Sequence, residues 1–296
     1  MGVVRAAAYA KINLTLDILG RRPDGYHELA SVMQSIDLHD DIQLDMGAQG
    51  ISLVVRGDEA VPQDSRNIAW QAARAFFSEI ARQPNVRITL IKRIPSSAGL
   101  GGGSADAAAV LVALNHYYEH PLSVRQLRVV GAQLGADVPF CIEGGTWLAE
   151  GIGERLTSLP AMPRYRLLLA KPDAAVSTQE VYRALVPDCF GNHFTGMFLH
   201  ELRQNHPDLA LDHLGNALES VTLDKIPQCQ WWKDAWRQHG AAAQLMSGSG
   251  PTVFGIFTDE ERAQRAWDEI HHLGQVYRSR LHHCGVAIID ENIGGC

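Results

Sequence analysis

The chain has 296 residues, 46% of them hydrophobic and 20% charged, with 26 basic against 33 acidic side chains for a net charge of −7. That is enough apolar material for a sizeable core without disulfides or a structural metal, and the length suggests about two domains. The acidic balance argues against a general nucleic-acid or membrane-surface binder, which would carry a basic excess, but leaves room for a local cationic site that takes an anionic small molecule.

Five cysteines (Cys141, Cys189, Cys229, Cys284 and Cys296) are scattered with no Cys-x-x-Cys pair. Reduced thiols are therefore expected, not a disulfide framework or a zinc site. The apolar run Ala6 to Ala10 is too short for a secretory leader, and no window approaches the roughly 18 apolar residues of a membrane span. The expected compartment is the cytoplasm.

Residues 6 to 18 alternate with period two: Ala8, Ala10, Ile12, Leu14, Leu16 and Ile18 share one face, and Tyr9, Lys11, Asn13, Thr15 and Asp17 the other. This reads as a half-buried strand with an exposed polar side. Arg22-Pro23-Asp24-Gly25 is a turn. Strands are expected at 32 to 38, 51 to 56 and 86 to 94, and a helix capped near Asp64-Ser65 should run to about Ala81. A glycine cluster then precedes an alanine-rich stretch, which predicts a helix from near Ser104 to about Tyr118. Another helix fits 123 to 134 and should stop at Gly135. Arg155 to Arg164, with two prolines, reads as a linker. Beyond it come a strand (166–170), helical patterns (178–185, 195–204, 208–221, 229–239), strands at 242–246 and 252–257, a helix (259–273) and a strand near 285–289. Strands first and helices after, without regular alternation, favour an α+β fold over a doubly wound sheet.

Five stretches carry chemistry. Gly99-Leu100-Gly101-Gly102-Gly103 lies between a strand and a helix. Bare glycine backbone can wrap an oxyanion, and the free N–H groups and dipole of the following helix favour it. A flexible turn is the alternative, though four glycines in five residues exceed what a turn needs. It is neither a Walker A nor a dinucleotide fingerprint. Lys11 and Asn13 on the first strand read alone as an exposed face. Asp137, in Gly135-Ala136-Asp137-Val138-Pro139-Phe140, should sit in a non-helical turn, because Pro139 disfavours a helical Val138; it is a general base or, taken alone, more readily a cap. Met246 to Thr252 is a second anion cradle or a hairpin loop. Tyr26-His27 could stack on a flat ligand or simply pack a turn.

Taken together, these pieces stop being independent. Pro95 to Ala109 resembles the Pro-x3-Gly-Leu-Gly loop of the GHMP small-molecule kinases, and Met246 to Thr252 resembles that superfamily's C-terminal glycine motif. Ala10 to Leu14, Arg22 to Glu28 and Gly135 to Phe140 look like those of one member, whose substrate is an alcohol carrying a cytidine diphosphate group.

The resemblance implies a two-domain fold: an N-terminal domain (1–160) of the ribosomal protein S5 domain 2-like type, and a ferredoxin-like C-terminal domain (161–296). It implies ATP-dependent phosphorylation of the alcohol, with Asp137 as general base and Lys11 beside it. Pro95, Ser96, Ser97, Ala98, Gly99, Leu100, Gly101, Gly102, Gly103, Ser104, Ala105 and Asn67 would hold ATP. Mg²⁺ would accompany it, with Ser104 as a possible ligand. Asn13, Tyr26, His27, Tyr182, Gly248 and Ser249 would bind the substrate. No nucleic-acid or membrane partner is expected, and the chain should be a monomer or a weak homodimer. Rival readings are a mevalonate, homoserine or sugar kinase of the same superfamily, a nucleotide-binding regulator without catalysis, and a redox or metal protein using the cysteines.

Overall fold

A computed structural model describes residues 2–186, 189–290 and 293–295. The first part of the chain forms β1 (Val3–Arg21), β2 (His27–Met46), β3 (Gly50–Arg56), α1 (Ile68–Glu79), β4 (Asn85–Ile91), α2 (Gly102–Tyr117), α3 (Val124–Leu134), α4 (Val138–Glu143), β5 (Thr146–Gly151) and β6 (Arg155–Ser158). The rest forms β7 (Arg166–Lys171), α5 (Thr178–Arg183), α6 (Phe194–Arg203), α7 (Pro207–Ala210), β8 (Gly215–Asn216), α8 (Glu219–Lys225), α9 (Gln228–Gln238), β9 (Ala243–Met246), β10 (Val253–Phe257), α10 (Glu260–Ile270), β11 (Gln275–Arg280), β12 (Val286–Asp290) and β13 (Ile293–Gly295).

The strands build two sheets. The larger runs β13-β12-β1-β2-β4-β3, with β5 and β6 continuing from β2 and β8 lying parallel to β1. The smaller is β11-β7-β10-β9, antiparallel throughout. Strand, helices, two strands, helix, strand, with the first strand next to the last and third, is the ferredoxin-like arrangement. The expected α+β class therefore holds. The last strands return to the first sheet, where β12 pairs Ala6 to Ala8 of β1.

Several local expectations change. The polar face of β1 is not exposed: Lys11, Asn13, Thr15 and Asp17 are all at most 5% exposed. The glycine loop covers one end, where Lys11 N donates to Leu100 O at 3.0 Å. The N-terminus of α6 covers the other, its Thr195 N donating to Asp17 Oδ2 at 2.9 Å. Register shifts flank Lys11 and Asn13, and such bulges re-aim side chains. Helix α1 is capped by Asn67, not Asp64 or Ser65. Arg155 to Ser158, read as linker, pairs with β5. The pattern at 208–221 breaks into α7, a 3₁₀ turn, β8 and the start of α8. Cys141, Cys189 and Cys229 are free; Cys296 lies outside the described residues. None of the described helices is long and apolar enough to cross a membrane.

Candidate active site

Helix α2 begins at Gly102, two residues before Ser104. Gly101 is its N-cap, in the left-handed region at φ 68°, and no side chain caps the first turn. The N–H groups there have no partner inside the helix and face an anion-ready end. Ala105 is an exception among the expected nucleotide contacts: it is fully buried and its N–H donates to Gly101 O, so it belongs to the helix and not to the site. The rest of the loop, Pro95 to Ser104, lines one cleft of about 1650 Å³.

That cleft also receives Lys11, Asn13, Tyr26, His27, Asn67, Asp137, Tyr182, Gly248 and Ser249. Its centre is an ion pair, Lys11 Nζ to Asp137 Oδ2 at 3.3 Å, with the lysine side chain 6% and the aspartate 30% exposed. Asp137 occupies the N-cap position of α4 with helical backbone angles, φ −83° and ψ −14°, and makes no cap hydrogen bond. The expected turn is formed, at Ala136 and Asp137 between α3 and α4, but Val138 is helical against expectation, because Pro139 falls in the first turn of α4, where a missing N–H costs nothing. The carboxylate is left free for Lys11.

The ammonium is aimed by a short polar relay. Lys11 Nζ donates to Asn13 Oδ1 (2.9 Å), Asn13 Nδ2 donates to Ser31 Oγ (2.8 Å), and Ser31 Oγ donates to Thr15 O (2.6 Å). Asn13, expected to hold substrate, first positions Lys11. The loop rests on the lysine stem: a Cβ at Gly101 would lie 2.9 Å from Lys11 Cγ.

The β9–β10 loop is both a hairpin and a wall of the cleft. Ser247 Oγ donates to Gly99 O at 2.9 Å, and a Cβ on Gly248 would stand 3.3 Å from Asn13 Oδ1 and 3.6 Å from Lys11 Nζ. Ser249 shares a 2.8 Å hydrogen bond with Thr178. Asn67 lines the cleft, yet its Oδ1 caps Ala69 N and its Nδ2 donates to Pro62 O, leaving one N–H for a ligand.

At another end, His27 lies 5.4 Å from Tyr182 and 6.0 Å from Phe190, ring to ring, while Tyr26 is 61% exposed. Burial, then Arg21, pushes the His27 imidazole below its ordinary range, which favours a neutral ring able both to donate and to accept. Sequence reasoning missed Phe190, which sits between helical stretches without periodicity to mark it. It also missed Ser31, Lys92 and Asp106; the polar residues within apolar runs were the only signal.

Among the described residues no group of three or more His, Cys, Asp or Glu side chains is placed to hold a metal. The expected protein ligand, Ser104, lines the cleft in the first turn of α2.

An amine and a carboxylate beside a glycine cradle, between two α+β units, is the layout of a small-molecule phosphotransferase. Family models agree: GHMP kinases N terminal domain matches residues 67–145 and GHMP kinases C terminal matches residues 196–275. A protein of Geobacillus thermodenitrificans named 4-diphosphocytidyl-2-C-methyl-D-erythritol kinase is 44% identical over 276 residues, covering 93% of this chain and 95% of its own. A crystal structure of 4-(cytidine 5'-diphospho)-2C-methyl-D-erythritol kinase is 35% identical, with TM-score 0.79 over 94% of this chain and 98% of that one. The chain belongs to the GHMP kinases, in the 4-diphosphocytidyl-2-C-methyl-D-erythritol kinase family. A homoserine kinase from Cytophaga hutchinsonii has TM-score 0.80 at 20% identity, with 98% of each chain covered. The fold is thus common to kinases of different acceptors, and the acceptor must be argued from the side chains in the cleft.

Proposed function

We propose that the protein transfers the γ-phosphoryl group of ATP to the C2 hydroxyl of 4-diphosphocytidyl-2-C-methyl-D-erythritol. The observation that carries this is the Lys11–Asp137 pair, 3.3 Å apart at the mouth of the glycine cradle. The first turn of α2 and the bare backbone of residues 95 to 104 receive the triphosphate, with Asn67 at the adenine end. Mg²⁺ supplies charge neutralisation on the phosphates, and Ser104 would hold it.

Asp137 accepts the proton of the hydroxyl as its oxygen bonds to the γ-phosphorus and the bond to the β–γ bridging oxygen breaks, releasing ADP. General-base help of this kind is worth about 10²–10⁴-fold. Lys11 offsets the negative charge building on the transferred group. Most of the remaining acceleration comes from positioning and electrostatics, as is general for phosphoryl transfer. Tyr26 and Tyr182 supply flat faces for the cytosine, and His27 a hydrogen bond to its edge. A mevalonate, homoserine or sugar kinase has no pyrimidine to place there.

The test is incubation with ATP, Mg²⁺ and a panel of alcohols with and without a cytidine diphosphate group, following ADP. Turnover confined to the cytidine diphosphate ester supports the assignment; equal turnover of a cytidine-free alcohol refutes it.

A further inference from the structure

Beneath the glycine loop lies a charged cluster that the proposed reaction does not use. Lys92 is 9% exposed, and its Nζ donates to Asp40 Oδ2 and to Asp106 Oδ2, each at 2.5 Å. Asp40 is fully buried and Asp106 is 2% exposed. The other Asp40 oxygen accepts the backbone N–H groups of Arg93 (2.5 Å) and Ile94 (2.9 Å), immediately before the loop begins at Pro95. Asp106 stands one turn beyond Gly102 on the same face of α2. A Cβ at Gly102 would come within 3.6 Å of Lys92 Nζ. One ammonium therefore ties the segment entering the cradle to the helix leaving it, through a carboxylate on β2.

Stability does not account for the cluster. Buried ion groups are often matched or bettered by apolar side chains of the same volume, because desolvation offsets their attraction. Asp106 Oδ1 is buried without a hydrogen-bond partner, a further cost that a purely structural cluster would shed. Lys92 and Asp106 both line the cleft.

We propose that Lys92, Asp40 and Asp106 form a positioning cluster that holds the glycine loop and the first turn of α2 in the geometry that receives the nucleotide phosphates. This rests on the nucleotide reading of the loop. With all three groups ionised, the cluster carries one excess negative charge under a site for a polyanion. Burial pushes the Asp106 carboxyl up, to about 8, with Lys92 opposing the rise and Asp40 adding to it. The thiol of Cys141 also faces Asp106, and burial pushes it up, so it adds no charge. Asp106 therefore holds its proton above the ordinary carboxylate range, and losing it adds negative charge under the loop.

The test is ATP binding to the whole chain by titration calorimetry, without the alcohol, alongside KM for both substrates. Lys92→Met removes the ammonium that ties Asp40 to Asp106, and should weaken ATP by about tenfold while KM for the alcohol moves by less than about threefold. Asp106→Asn in that background replaces the carboxyl left without its cation by a neutral amide and should recover about threefold or more of the lost affinity, whereas a merely structural cluster would make the double variant worse. If Lys92→Met does not fold, Asp106→Asn alone decides: wild-type affinity for ATP should fall several-fold between about pH 7 and about pH 9, and the variant's should stay flat. A folded Lys92→Met that binds ATP as the wild type does, a double variant no better than the single one, or an Asp106→Asn with the wild-type pH slope each overturns the proposal. Wild-type protein that binds no ATP is a different result, which overturns the nucleotide reading itself.

Discussion

Replacing Asp137 by asparagine keeps the shape of the side chain and removes its charge and its capacity to take a proton. Two effects follow, and their magnitudes separate them. As a general base, Asp137 contributes about 10²–10⁴-fold to turnover, or roughly 3–5 kcal/mol of barrier. As the partner of Lys11, at 3.3 Å with its own side chain 30% exposed, it is worth about 1 kcal/mol of stability after solvent screening. For a chain of this size that lowers Tm by about 2–4 °C and leaves the protein folded at assay temperature. Lys11 keeps Asn13 Oδ1 as an acceptor at 2.9 Å, which limits the damage. The assay is steady-state phosphoryl transfer with ATP binding and melting measured on the same sample. The expected outcome is kcat down at least about a hundredfold, KM for both substrates within about threefold, and a small fall in Tm. A folded Asp137→Asn enzyme retaining more than about a tenth of wild-type kcat refutes the base assignment.

Tyr26→Ala should raise KM for the cytidine substrate by about tenfold with little change in kcat, since base stacking is made in ground and transition states alike; a loss confined to kcat contradicts the role. Gly99→Ala should destabilise the protein and weaken ATP together, because its Cβ would stand 2.1 Å from Ser247 O at φ 75°; an unchanged urea midpoint would count against the tight seam between the two loops. Asp106 gives a pH prediction for stability. Its pKa is raised to about 8 in the folded chain, which thus keeps a proton that the unfolded chain has released. This group's contribution to stability therefore falls as pH rises from the ordinary carboxylate range to about 8, and is level beyond. Urea midpoints of wild type and Asp106→Asn should converge or diverge across that window; parallel curves would refute the assignment.

The strands and helices were legible from local signals. The period-two pattern in β1, the capping box that starts α3 at Ser123 and the glycine that stops it at Gly135 act between near neighbours, so residue order alone suffices. Helix α2 starts two residues before Ser104, since glycine at Gly102 and Gly103 argues against helix locally, whereas packing against β1 and β2 carries it. Pro139 misled for a similar reason: its effect reverses once it lies in a first turn.

The cleft was legible only in part. Residue types told which groups had chemistry to offer: a glycine loop, one lysine, one aspartate and an aromatic pair. They could not tell that the polar side of β1 is buried, that Asn13 aims Lys11, or that Lys92 joins two carboxylates under the loop. Those facts depend on contacts between segments far apart along the chain, where burial turns an ordinary surface lysine into one whose every partner matters. Local order decided the elements; the meeting of β1, the loop before α2, the turn before α4 and the β9–β10 hairpin decided what they can do.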